Sequence, residues 1–233
     1  SVNKKKKKME LVSSTVYVIK SDSNVSVQIG LNPSHNYIPT IVIARIGKDF
    51  SSSRITLNAF GFLAFLELAN ELVKVDLGTC TKQVNSHTIG DYLASINYKV
   101  RVIRLVKKCC LFVNKIEVFE LTFDSFSEIF NFSVTLKYKL RHIERYSDYA
   151  QVTHSRLVNF LVRAIKMDET CKEFIFEGLR AMLVVIPEIS LPPHPFKFNN
   201  YSHLDTAFCE LIDSEIRTVA PYPIFMKVRS LLR

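Results

Sequence analysis

Apolar residues recur along this chain at two spacings, and the change from one to the other predicts its elements. From Val12 the runs are strand-like. Val16 and Val18, with Tyr17 and Ile19, make a first strand closed by the turn Ser21-Asp22-Ser23-Asn24. Val25, Val27, Ile29 and Leu31 alternate strictly in a second, which Asn32-Pro33-Ser34-His35-Asn36 breaks. Ile38 to Ile46 is apolar on both faces and predicts a third strand ended by Gly47-Lys48-Asp49; Arg54 to Leu57 predicts a short fourth. The spacing then shifts to three and four. Phe62, Phe65, Leu66, Ala69, Leu72 and Val73 define one face of a helix, and Asn58 suits its N-cap because a short polar side chain accepts an orphan amide of the first turn. Residues 12–74 thus read as four strands and a helix, and Gly78 with Thr79 to His87 as a linker.

A second stretch follows the same plan. Tyr98 to Val106 and Cys109 to Asn114 are strand-like around a Lys107-Lys108 turn, Ile116 to Leu121 is a further strand, and Asp124 is the expected cap of a helix carrying Phe126, Ile129 and Phe130. Setting Leu57 on Leu121 places Phe62 on Phe126, Phe65 on Ile129 and Leu66 on Phe130, a repeat carried by a few apolar positions. Phe130, Phe132, Val134, Leu136, Tyr138 and Leu140 then alternate, which predicts a strand after a short helix. Beyond Tyr146 the spacing is helical: Leu157, Phe160, Leu161, Ala164 and Ile165 mark one helix, and Phe174, Ile175, Leu179, Met182 and Leu183 a second before Pro187. Leu204, Phe208, Leu211, Ile212 and Ile216 mark a third, with a final turn from Pro223. The expected class is α+β: two antiparallel β-sheet units each followed by a helix, in a ββββα-like repeat over residues 12–145, then a helical C-terminal region over 146–233. Residues 1–11 are a disordered basic tail.

Charge adds what periodicity cannot. The net of +9 over 233 residues is unevenly placed: residues 1–9 hold five lysines and no acid, 10–96 hold six basic and seven acidic residues, 97–145 hold ten and five, and 146–233 hold ten and ten. The tail Lys4, Lys5, Lys6, Lys7 and Lys8 and the segment 97–145 are therefore where a polyanion would bind. Read as strands, Lys99 and Arg101 alternate with Tyr98, Val100 and Val102, and Lys137, Lys139 and Arg141 with Leu136, Tyr138 and Leu140. Each strand then has a basic face able to follow phosphates and release their counterions. Arg104, Lys107 and Lys108 extend the first of these; Lys20, Arg45 and Arg54 are the cations of the first sheet. The plain alternative is a solvated sheet. Tyr17 is a candidate platform for stacking bases, whereas Tyr98 and Tyr138 read as core.

Other chemistry is poorly represented. No H-x-x-x-H, H-E-x-x-H, G-x-S-x-G or G-x-x-x-x-G-K-[ST] occurs, and six glycines leave little for a phosphate-cradling loop. Glu117, Glu120, Asp124 and Glu128 invite comparison with a divalent-metal nuclease, but acids so spaced are more often surface charges and caps. No catalytic residue, metal or cofactor is expected. The five cysteines include no C-x-x-C pair, and adjacent Cys109 and Cys110 point to opposite faces of a strand, so they read as reduced thiols. No apolar run approaches the roughly 18 residues of a membrane span, and Lys4 to Lys8 lead into Glu10, Ser13 and Ser14 rather than an apolar leader core. The expected location is nuclear or cytoplasmic.

Four strands and a helix opening on Ile55-Thr56-Leu57-Asn58 resemble the positive-cofactor-four unit of transcriptional coactivators, and the duplication resembles the Whirly family. That resemblance implies curved sheets binding single-stranded DNA through basic and aromatic side chains, a lysine-rich tail before the domain, and helices that pack against their counterparts in a pseudo-dimer or oligomer. It covers residues 12–145 by element order, rests on no invariant motif, and leaves the C-terminal helices without a counterpart. The leading expectation is a protein of replication or transcription that binds single-stranded DNA or RNA, DNA in preference, as a homo-oligomer. The alternative is a structural or scaffolding role, of the kind viral assembly factors play, with a protein partner docking on residues 146–233.

Overall fold

The computed structural model describes residues 11–46, 52–63, 65–66, 84–89, 93–103, 106–113, 116–167, 176–186, 203–219 and 221–232. The class is α+β. Strands β1 (Val12–Val18), β2 (Val25–Asn32), β3 (Ile38–Ile46) and β4 (Ser52–Leu57) form one sheet in sequence order. Strict alternation in β2 buries Val25, Val27, Ile29 and Leu31 on one face, each worth about 1.5–3 kcal/mol against exposure. The β1–β2 reversal is held by the Val25 amide donating to the Asp22 carbonyl at 2.8 Å. In β3 and β4, antiparallel pairing sets Ile41 opposite Leu57 and Ile43 opposite Ile55, all buried, while Ala44 faces Arg54 on the other side.

Between β2 and β3 the chain makes a 3-10 turn, Pro33–His35, whose cap Asn32 accepts the Ser34 amide at 3.0 Å. Asn36 and Tyr37 then both take the left-handed region, φ 51° and 57°. For a bulky side chain that is costly. It turns Tyr37 fully inward.

Residues 59–63 and 65–66 are helical (α1), and Asn58 is the N-cap, its Oδ1 accepting the Gly61 amide at 2.8 Å. The second sheet, β5 (Val84–Ile89), β6 (Leu93–Ile103), β7 (Val106–Val113) and β8 (Ile116–Thr122), is also antiparallel in sequence order. Two expectations change here. The polar linker ends in a strand, β5, and Lys107 and Lys108 lie in β7 rather than in a turn, because Ile103 pairs with Val106 and the reversal falls between those two. Helix α2 (Phe123–Asn131) is capped by Thr122, whose Oγ1 accepts the Ser125 amide at 3.2 Å. Asp124 is instead exposed in the first turn, where its charge faces the positive end of the helix dipole.

The largest correction is α3 (Ser133–Glu144), a helix where alternation predicts a strand. Its buried residues are Leu136, Leu140 and Ile143, with Val134 77% and Tyr138 74% exposed. Every i, i+4 pair is also a pair of even spacing, so Leu136 and Leu140 fit both periods. Ile143, seven residues past Leu136, fits the helix alone.

Among the described residues four helices follow: α4 (Ser147–Met167), α5 (Phe176–Val185), α6 (His203–Thr218) and α7 (Pro221–Leu231). Leu157, Leu161, Ile165, Leu179, Leu183, Ile212 and Ile216 are buried as their spacing predicts, while Leu211 is exposed. The final turn is a full helix that starts on Pro221, a residue suited to a first turn with no amide partner to lose. Helix α4 packs on α6 and α7, and α5 on the same two.

The chain forms two compact units. The sheet unit is Ser14–Gly30 with Pro39–His142; the helical unit is Leu31–Ile38 and Ile143–Arg233 together with the described residues of 1–13. Within the sheet unit α1 and α2 meet through Phe65 and Phe126, ring centroids 4.8 Å apart, and β4 lies against β8. Within the helical unit Asp213 accepts from Tyr149 at 3.1 Å and Thr153 at 2.8 Å, Tyr146 donates to Asp205, and the Ser13 amide donates to Glu215. No helix among the described residues is long and apolar enough to cross a membrane.

Candidate nucleic-acid interface

In the second sheet the pairing register decides which cations share a face. Arg101 is directly opposite Lys108 and Lys99 opposite Cys110, so these three basic residues fall on one face, while Val102 opposite Lys107 sets Lys107 on the other. Strand β8 adds Thr122 opposite Lys108, Glu120 opposite Cys110 and, past a register shift, Glu117 opposite Phe112. Charge is therefore graded, with cations at the β6–β7 reversal and acids toward the other end. Residues 101–108 hold four cations and no acid. Arg104, between the two strands, and the tail Lys4, Lys5, Lys6, Lys7 and Lys8 lie outside the described residues.

Helix α3 redistributes the second basic set. Lys137 and Arg141 are exposed at i and i+4, with Tyr138 and Val134 beside them on the same face. Lys139, two residues from Lys137 and so about 200° round the helix, is half-buried on a different side. The expected row Lys137, Lys139, Arg141 is thus split. Tyr138, expected in the core, is instead an exposed ring between two cations.

The cations of the first sheet are placed otherwise. Arg45 is held by Asp22 at 3.1 Å and by Glu120 at 3.4 Å, and also donates to the Glu120 carbonyl at 3.3 Å. Lys20 is exposed in the β1–β2 turn. Its amide and that of Ser21 donate to the two oxygens of Glu128 at 2.8 and 2.9 Å, which ties the turn to α2. Those two amide bonds, from Lys20 and then Ser21, lower the Glu128 pKa. Arg54 is an exposed cation on the outward side, two residues from Thr56 in β4. Tyr17 is half-buried, 6.5 Å from the ring of Phe132, rather than an open platform. The register does not bring Lys20, Arg45 and Arg54 onto one surface.

The acids weighed as metal ligands have other duties: Glu120 holds Arg45, Glu128 holds a turn, and Asp124 sits in a first helical turn. Among the described residues no group of three or more His, Cys, Asp or Glu side chains could hold a metal ion. Register puts Cys109 and Cys110 at positions of opposite face. Buried Cys209 has its thiol pushed up to about 11 by desolvation and then by Asp213, so it is a weak nucleophile. Sequence reasoning missed the Glu128 clamp, whose partners lie more than 100 residues away, and the pair Tyr37 and His154. The Tyr37 hydroxyl lies 2.9 Å from His154 Nδ1, and burial, then Lys227, pulls the imidazole down to about 4. Comparison with family models, with curated proteins and with solved structures gave no match.

Proposed function

We propose that the chain binds single-stranded nucleic acid, DNA in preference to RNA, and serves replication or transcription. The observation that carries this reading is the outer face of α3, where Tyr138 is 74% exposed between the exposed cations Lys137 and Arg141. An open ring flanked by cations offers stacking to a base and neutralisation to the phosphates on either side, and only unpaired bases present their faces. The cationic end of the β6–β7 hairpin adds charge that a phosphate backbone would relieve. Both surfaces belong to the sheet unit.

A duplicated sheet–helix unit is part of the reading. Asn58 and Thr122, equivalent in the alignment of Leu57 with Leu121, each accept the amide three residues on. Equivalent elements also touch, β4 with β8 and α1 with α2, as two copies related by a two-fold would.

The test is fluorescence anisotropy with single- and double-stranded oligonucleotides of about 30 units, enough for two typical sites, titrated side by side across salt. Tighter binding to the single strand, weakened about tenfold or more in the triple variant Lys137→Glu, Tyr138→Ala, Arg141→Glu, is the expected result. Absence of binding at low salt would sink the reading. A second reading, self-association or scaffolding, is favoured by Phe60 and Leu63, 78% and 44% exposed one turn apart on α1. Light scattering separates the two: a stable oligomer indifferent to oligonucleotide supports the second.

A further inference from the structure

The helical unit holds a cleft of about 390 Å³ that plays no part in the reading above. It is lined by a face of α7 presenting Tyr222 and Met226, each more than two-fifths exposed, and then Lys227, by His154 of α4, by Ser34 of the 3-10 turn and by Asn36 just after it. The size falls inside the roughly 300–1,000 Å³ of small-molecule sites. Among the described lining residues Lys227 alone bears a full charge, and none is a carboxylate.

The α7 face has a direction. Tyr222 and Met226, one turn apart, give an apolar stretch with an aromatic face, and Lys227 gives a cation at its end. Ser34, Asn36 and His154 add a hydroxyl, an amide and the imidazole to the lining. The left-handed pair at Asn36 and Tyr37 turns the Tyr37 phenol into the interior, where it pins the His154 ring by the 2.9 Å bond and an edge-on contact at 5.5 Å. A phenol held above its usual range by burial keeps its proton, and the hydroxyl and Nδ1 share one hydrogen bond, which leaves Nε2 as the second polar atom of the ring. The ring is neutral at pH 7, and the net charge of the cleft is that of Lys227.

We propose that this cleft binds a small heteroaromatic anion of nucleotide type, its phosphate at Lys227 and its ring against Tyr222. The hydroxyl, the amide and the imidazole serve the polar edges of the ring and the sugar. Such a group could arrive as a free mononucleotide or as the phosphorylated end of a strand, and the site does not depend on how the α3 face behaves.

Isothermal titration with 5′-AMP tests it. Saturable binding is expected at micromolar to low millimolar concentration, weakened about tenfold or more by Lys227→Glu and by Tyr222→Ala, with inorganic phosphate and adenosine each competing weakly. No saturation by about 10 mM, or binding untouched by both substitutions in folded variants, overturns the proposal. Should either variant misfold, the parent protein still decides, because AMP must shift the His154 imidazole resonance; a shift confined to other residues counts against the site. A 5′-phosphorylated trinucleotide that binds through the same residues more tightly than AMP assigns the strand end as the source, and equal or weaker binding assigns the free nucleotide. A fall in AMP affinity with unchanged affinity for the long oligonucleotide separates this site from the α3 surface.

Discussion

Arg45 and Arg101 stand in two sheets of the same strand order and meet opposite circumstances. Arg45 is clasped by Asp22 and Glu120, and the turn next to it is clasped by Glu128, so the charges of the first sheet hold the fold together. Arg101 is the register partner of Lys108, in a run of eight residues without an acid. What differs is the local sequence of charges, not the strand order. A cation supplied with an internal carboxylate gains little from a phosphate, whereas a run of cations with no acid in it raises the local potential that draws one.

Core substitutions test the comparison most severely. If the two sheets are copies, Leu57→Ala and Leu121→Ala, both at fully buried positions, should each cost about 2–5 kcal/mol and agree within about 1 kcal/mol in urea denaturation. A wide gap would break the equivalence. Next in size is charge reversal: Arg101→Glu with Lys108→Glu should weaken single-strand binding about tenfold or more and lower the salt slope by about two, while Arg54→Glu on the first sheet shifts affinity by less than about threefold, both read by anisotropy. Equal losses would mean that the two sheets handle phosphates alike.

Smaller effects sharpen the picture. Asn58→Ala and Thr122→Ala each remove an N-cap and should cost about 1 kcal/mol in the same denaturation experiment. Glu128→Gln probes the carboxylate clamp of the first sheet through pH. The Glu128 pKa is lowered in the folded protein, so its contribution is complete above the ordinary carboxylate range and disappears as pH falls below it. The melting temperature of the variant should sit below that of the parent at pH 7, with the difference closing under acid conditions; a difference constant from pH 7 to pH 3 would deny the carboxylate its role.

Much of the first sheet was legible because its residues obey one rule at a time. Strict alternation in Val25 to Leu31 and the two-faced apolar run Ile38 to Ile46 gave β2 and β3 almost to the residue. Strand β5 was hidden because Val84-Asn-Ser-His-Thr-Ile89 is polar between its ends, and its place depends on pairing with β6. The cap of α2 was misassigned to Asp124, although alignment with Asn58 already indicated Thr122. Helix α3 was missed because alternation contains the four-residue step within it. That error also misplaced part of the candidate site, turning a row of three cations into a pair with an open tyrosine between them. The engagement of Arg45 and the cleft beside His154 depend on partners far apart in sequence, which no local pattern encodes.

The two compact units are not successive lengths of chain. The stretch Leu31–Ile38 leaves the sheet unit, serves the helical one and returns. Its contacts close long loops: Tyr37 reaches His154 across 117 residues, and Ser13 reaches Glu215 across 202. Closing such loops is what slows folding. During synthesis an early-made corner must therefore wait for helices made more than 100 residues later, and a chain cut at residue 143 would yield neither unit whole. A gene fragment encoding only the C-terminal helices would lack Ser34, Asn36 and Tyr37, leaving the cleft without part of its lining and His154 without its phenol partner.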